Sequence, residues 1–201
     1  KSDIPPIEYY IEPILPVKGK MMISAQTNVG KSIFIQNLCL AMTCGMTRVF
    51  DKWNVKPARV LYVDLEMGDS PMKDRFIKMC GAKNISTNTL FVKHLPCLNL
   101  SQAAESEMLK TWLRDLQVNV LVLDPLGHAW AGNENDNAEV TELTRSLNQI
   151  IDSFNTSIVI VHHWRKATKD FKDGGEMAAG SYRWTAWLDM HICLAGEPNS
   201  I

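Results

Sequence analysis

The chain has 201 residues, 46% of them hydrophobic and 21% charged, with a formal net charge of -1. That length suits one domain with a substantial core, and the composition excludes a disordered tail. The near-neutral balance also excludes bulk attraction to polyanions, so any contact with nucleic acid has to be local.

Residues 1–19 carry Pro5, Pro6, Pro13 and Pro16, which rule out a long helix and predict an extended lead-in or linker. From residue 20 to 201 short apolar runs alternate with helical patterns. The expected order is strand Met21–Ser24, helix Lys31–Thr43, strand Val60–Val63, helix Ser70–Cys80, strand Leu90–Lys93 and helix Gln102–Leu116. It continues with strand Val118–Leu123, helix Asn137–Phe154, strand Ser157–Val161 and strand Met190–Leu194. Gly45 and Gly81 sit where the first two helices should stop. The stretches VNVLVLD and SIVIVHH are apolar without alternation, as central strands covered by helices on both faces would be. The expected fold class is therefore α/β, with a mainly parallel central sheet flanked by helices.

The stretch AQTNVGKS, residues 25–32, joins the first of these strands to the first helix. Strand, glycine-bearing turn and helix is the order in which consecutive backbone N–H groups can converge on phosphate oxygens. The expected cradle is Ala25, Gln26, Thr27, Asn28, Val29, Gly30, Lys31, Ser32 and Ile33. Lys31 would reach the β- and γ-phosphates and Ser32 would ligate Mg²⁺. Ala25 stands where the usual G-x-x-x-x-G-K-[ST] pattern has glycine; a strand-end conformation with negative φ would accept it.

Other strand ends should meet this loop, because ligands of open parallel sheets lie beyond the carboxyl ends of the strands. Asp124 ends VNVLVLD, where a carboxylate is costly to bury unless a cation pairs with it, so it is the expected second partner of Mg²⁺. VLYVDLEMG offers Asp64 and Glu66, two residues apart and on one side if the strand runs that far. Either carboxylate would suit activation of an attacking water, and spacing does not choose between them. SIVIVHHWRK offers His162 and His163, which face opposite ways on a continuing strand. Phosphate sensing, core packing and metal binding are the three readings of that pair.

The ordered set AQTNVGKS, VLYVDLEMG, VLVLDPL, SIVIVHHWRK and AAGSYRWTAWLD resembles the RecA-like ATPases of the RepA and DnaB helicase group, most closely the RepA-like branch. The resemblance spans about Ile14 to Ala195. It implies a RecA-like P-loop fold, ATP and Mg²⁺ as cofactors, and a motor that assembles with itself into a hexameric ring on single-stranded DNA. It assigns water activation to Glu66 and the γ-phosphate sensor to His163. It also marks Gly180 and Ser181 as following a loop that senses nucleotide and faces nucleic acid. The family pattern usually continues past this point with basic strands that complete a neighbour's site; Arg183, then Lys166, are the arginine-finger and cation candidates here. The alternative is a nucleotide-gated binding or assembly module with little hydrolysis.

Two segments would line a ring's channel, Leu126–Asn137 and Trp164–Gly180. The second carries Arg165, Lys166, Lys169 and Lys172, with Trp164 or Trp130 as stacking faces. Trp112 reads as core, and Trp184 and Trp187 share one helical face. A guanine-specific N/T-K-x-D element is one residue short in TKD, residues 168–170, so adenine is expected. Five cysteines, Cys39, Cys44, Cys80, Cys97 and Cys193, lack C-x-x-C spacing, and reduced thiols in a cytoplasmic protein are the expectation. No run approaches the roughly 18 apolar residues of a membrane span, and no membrane association is expected.

Overall fold

A computed structural model of the chain describes residues 5–83, 85–96, 98–163 and 182–195. Six parallel strands form the central sheet: β3 (Lys20–Ala25), β6 (Val60–Asp64), β7 (Leu90–His94), β8 (Val120–Asp124), β9 (Ser157–His163) and β10 (Met190–Leu194). Their order across the sheet is β10-β3-β9-β8-β6-β7. Helices α1 (Lys31–Thr43) and α2 (Asp69–Lys83) cover one face. On the other lie α3 (Ala103–Asp115), α4 (Asn137–Phe154) and the short α5 (Tyr182–Trp187). This is an α/β fold, a parallel central sheet with helices on both faces.

The unalternating apolar strands serve both faces at once. In β8, Val120 and Val122 pack with α1 while Leu121 and Leu123 pack with α3 and α4; β9 divides Val159 and Val161 from Ile158 and Ile160 in the same way. A residue's parity at a strand end therefore fixes which face its side chain serves. Asp64, Asp124 and His163 fall on the α1 side, His162 on the α4 side.

Helix α4 begins and ends where the sequence predicts. The Asp136 carboxylate accepts from the N–H groups of Ala138 (2.7 Å) and Glu139 (3.1 Å), and Asn155 closes the helix in a left-handed conformation. The expected stop at Gly81 does not occur, since α2 continues to Lys83; a glycine inside a helix costs only about 1 kcal/mol and packing overrides it. Gly45, with φ +68, does follow the end of α1.

The lead-in expectation for residues 1–19 fails over Tyr9–Pro16. Strands β1 (Tyr9–Glu12) and β2 (Leu15–Pro16) join β4 (Arg48–Val49) and β5 (Trp53–Val55) in a small antiparallel sheet, ordered β2-β1-β5-β4. Ile11 and Leu15 are fully buried and Ile14 nearly so, in the same core as α1. Pro16 is accommodated because β2 is an edge strand, where a missing N–H costs no ladder bond. Among the described residues no helix is long and apolar enough to cross a membrane.

Candidate functional site

The β3–α1 turn is the first part of the site. Ala25 is the last residue of β3, fully buried and in register with His163 of β9. It is not among the residues with positive φ, so a methyl group fits where a glycine would usually stand. The left-handed conformations fall instead on Asn28 (φ 65) and Gly30 (φ 92), and Gly30 caps α1. Asparagine and glycine tolerate that region at least cost.

Lys31 reaches back across the turn, its ammonium donating to the carbonyls of Ala25 (3.0 Å) and Gln26 (2.8 Å). The residue is buried, and burial pulls its pKa below the ordinary lysine value against the opposing pull of Asp124 and Glu66. A cation held in this way lowers its own cost by binding an anion.

Asp124, at the end of β8, is also buried. Burial raises its carboxyl above the ordinary value; hydrogen bonds from the Tyr62 and Ser32 hydroxyls act in the opposite sense, and Asp64 and Glu66 add to the rise. Tyr62, from β6, donates to Oδ2 of Asp124. A costly buried carboxylate beside a serine hydroxyl at a helix start is a hard-oxygen donor pair, and it fits Mg²⁺, which takes few protein ligands and fills its sphere with phosphate and water oxygens. Ser32 and Asp124 are the residues that would hold it. No cluster of three or more His, Cys, Asp or Glu suited to a metal occurs among the described residues.

The two ambiguous pairs separate cleanly. Strand β6 ends at Asp64, so the condition for Asp64 and Glu66 to share a side is not met. Asp64 is 1% exposed and turned inward onto backbone N–H groups, whereas the Glu66 side chain is 55% exposed and lies 3.5 Å from Nε2 of His163. Strand β9 does run through both histidines. His163 joins Glu66 at the pocket, while His162, 4% exposed, pairs with Glu134 at 3.1 Å on the far face. Burial lowers the His163 pKa, Lys31 lowers it further, and Glu66 opposes both.

Glu66 and His163 line a cavity of about 340 Å³ together with Thr27, Gly30, Lys31 and Ser32. A larger cavity of about 470 Å³ on the other face is lined by Trp130, Glu139 and Glu142 without a lysine or arginine, which makes it the wrong charge for a triphosphate. Arg75 of α2 and Met67 also line the nucleotide-sized cavity. Nothing in their spacing singles them out in the sequence; Arg75 arrives there because Met72 and Phe76 of the same helix are buried against the core.

Of the two expected stacking faces, Trp164 and Trp130, only Trp130 is among the described residues. Trp130 is buried, its ring edge-on to Trp184 at 6.3 Å, so it offers no stacking face. Trp184 and Trp187 do share a face, 6.1 Å apart, and Trp112 is only partly buried against the core. The segment 126–137 exposes Asp136 but carries no lysine or arginine. Arg183 is exposed on α5, away from the cavity of its own chain. Cys97, Trp164, Arg165, Lys166, Lys169, Lys172, Gly180, Ser181 and the TKD stretch lie outside the described residues.

A parallel sheet whose strand ends bring a glycine-bearing turn, a buried lysine and a serine–aspartate pair to one helix start defines a P-loop nucleotide-binding protein. A family model described as AAA domain matches residues 1–169, most of the chain. The chain belongs to that family of P-loop ATPases, which is associated with RecA-like and helicase-type proteins and generally binds ATP with Mg²⁺. No curated protein matches it.

Proposed function

We propose that the chain is an ATP-hydrolysing motor of the RepA-like helicase type, assembling as a hexameric ring and acting on single-stranded DNA in replication, recombination or repair. The observation that carries hydrolysis is the meeting of Glu66 and His163, 3.5 Å apart, at the cavity that holds Lys31 and Ser32. A carboxylate placed there can take a proton from a water beside a bound phosphate, which the lysine and the serine cannot do.

In this reading Lys31 exchanges its two carbonyl partners for β- and γ-phosphate oxygens, and the amides of the turn bind the rest of the phosphate chain. Bound Mg²⁺ supplies neutralisation of the charge that develops on those oxygens. Glu66 accepts a proton from the attacking water. His163, whose pKa burial and Lys31 lower against the pull of Glu66, donates a ring N–H to the terminal phosphate, and so registers whether that phosphate is present. DNA contact is assigned to the basic residues Arg165, Lys166, Lys169 and Lys172, and the arginine finger to Arg183 of a neighbouring copy.

Steady-state phosphate release with and without single-stranded DNA, alongside a mass measurement with ATP, tests the proposal. Turnover stimulated by DNA, from a particle of six chains, is expected. Assembly driven by ATP without DNA-stimulated turnover would replace the motor with a nucleotide-gated binding module.

A further inference from the structure

Asp64 is 1% exposed at the tip of β6, where an ionised carboxylate is costly unless fully hydrogen-bonded. It has its partners. Oδ1 accepts from the N–H groups of Met67 (3.1 Å) and, at longer range, Glu66 (3.4 Å), while Oδ2 accepts from the N–H of Gly68 (3.0 Å) and from Nδ1 of His94 (2.8 Å). His94 is the residue of β7 directly in register with Asp64, and its main chain continues the grip, since the next N–H, of Leu95, donates to the carbonyl of Asp64 (3.0 Å).

The turn so held is the one that carries Glu66. Its flanks are fixed as well: the N–H of Leu65 donates to the Asp124 carbonyl (2.8 Å), Nδ1 of His128 donates to the Leu65 carbonyl (2.9 Å), and Gly68 supplies the positive φ (+98) that closes the turn. The Leu65 side chain is buried on the opposite face. By contrast the Glu66 side chain is half-exposed, with His163 at 3.5 Å as its neighbour. Its place is set by its main chain, and its main chain is set by Asp64.

We propose that Asp64, anchored by His94, is a positioning residue for the water-activating carboxylate: it clamps the turn 65–68 so that Glu66 projects to the phosphate end of the cavity. The proposal rests on the reading of Glu66 given above. Asp64 itself is not the base, because both of its oxygens are occupied and enclosed. A displacement of about 1 Å in such a group costs on the order of 100-fold in rate, so the clamp acts on turnover and leaves phosphate binding, which belongs to the β3–α1 turn, unchanged.

The test measures ATP turnover, affinity for a non-hydrolysable ATP analogue with Mg²⁺, and amide hydrogen exchange over residues 65–68, in the full chain and in Asp64→Ala, His94→Leu and His94→Asn. Asp64→Ala is expected to lower kcat by about 10- to 100-fold, keep the analogue Kd within about twofold of the parent, and speed exchange at Met67 and Gly68. His94→Leu does the same to a smaller extent, about 3- to 10-fold in kcat. His94→Asn places an amide N–H near the position of Nδ1 and recovers most of that loss. Unchanged kcat or unchanged exchange in Asp64→Ala overturns the proposal, as does equal loss in the two His94 variants. If Asp64→Ala does not fold, the His94 pair decides alone. A parent chain that binds the analogue but never hydrolyses ATP overturns the role of Glu66 and this proposal with it, and the affinity measured in the same chain separates that failure from failure of the nucleotide site.

Discussion

Two strands of the sheet end in pairs of polar residues, and the chain separates the two pairs by different means. At β6 the strand stops at Asp64 and a tight turn carries Glu66 outward, so residues two apart part company. At β9 the strand persists through His163, and ordinary pleating sends adjacent histidines to opposite faces. In each pair the second residue reaches the cavity and the first is buried against a partner: Asp64 on backbone N–H groups and His94, His162 on Glu134. A polar side chain at a strand tip is thus not by itself a ligand group; strand parity and the point where the strand stops together set which member reaches the cavity.

Removing the outward carboxylate should have the largest effect on turnover. Glu66→Gln should bind ATP like the parent and lose turnover by about 10²- to 10⁴-fold; normal phosphate release would reassign the base. Lys31→Ala should weaken ATP binding by about 100-fold or more, roughly 2.7 kcal/mol, read by calorimetric titration, with unchanged affinity counting against the whole site. The histidines should split along the same line. His163→Ala is expected to cost about 10-fold or more in turnover with a small change in melting temperature. His162→Ala should lower the melting temperature, because it opens a buried space and leaves Glu134 without that partner, while ATP affinity stays as in the parent.

The smallest effect concerns pH. The folded-state pKa of His163 lies below its ordinary value, so on acidification the unfolded chain takes up a proton first. Stability is therefore lost as the pH falls through about 6.5 toward the folded value. His163→Gln should reduce the drop in melting temperature between about pH 7.5 and 5.5. His191, lowered in the same direction by burial, retains its share. An identical drop in both proteins would contradict the assigned direction.

How much of this was legible in the sequence follows from the same physics. The bounds of α1 were readable because a glycine-bearing turn precedes it and Gly45 follows it, and those of α4 from its helical pattern; the Asp136 cap emerged only from the structure. The parallel sheet was readable from its unbroken apolar runs. The small sheet of β1, β2, β4 and β5 was not: its strands are short and interrupted by prolines, and its hairpin turn places Phe50 and Asp51 at positive φ, where no glycine or asparagine signals it. Phe50 instead stacks on Phe34 at 5.2 Å, a contact between distant segments. Within the site, Lys31, Ser32 and Asp124 were legible by motif and context. The choice of Glu66 over Asp64 came from resemblance alone, since spacing could not report that β6 stops at Asp64, short of Glu66. Tyr62, His94 and Arg75 carry no local signal and emerge only from register and packing.

The tips of β3, β6, β8 and β9 should converge on one triphosphate at the start of α1. A crystal structure with Mg²⁺ and a non-hydrolysable ATP analogue tests it most directly. The terminal phosphate should lie within hydrogen-bonding reach of Lys31 and His163, with Glu66 facing it across one water and the metal between Ser32 and Asp124. Phosphates seated anywhere else, or Lys31 still bound to the carbonyls of Ala25 and Gln26 beside them, would contradict it.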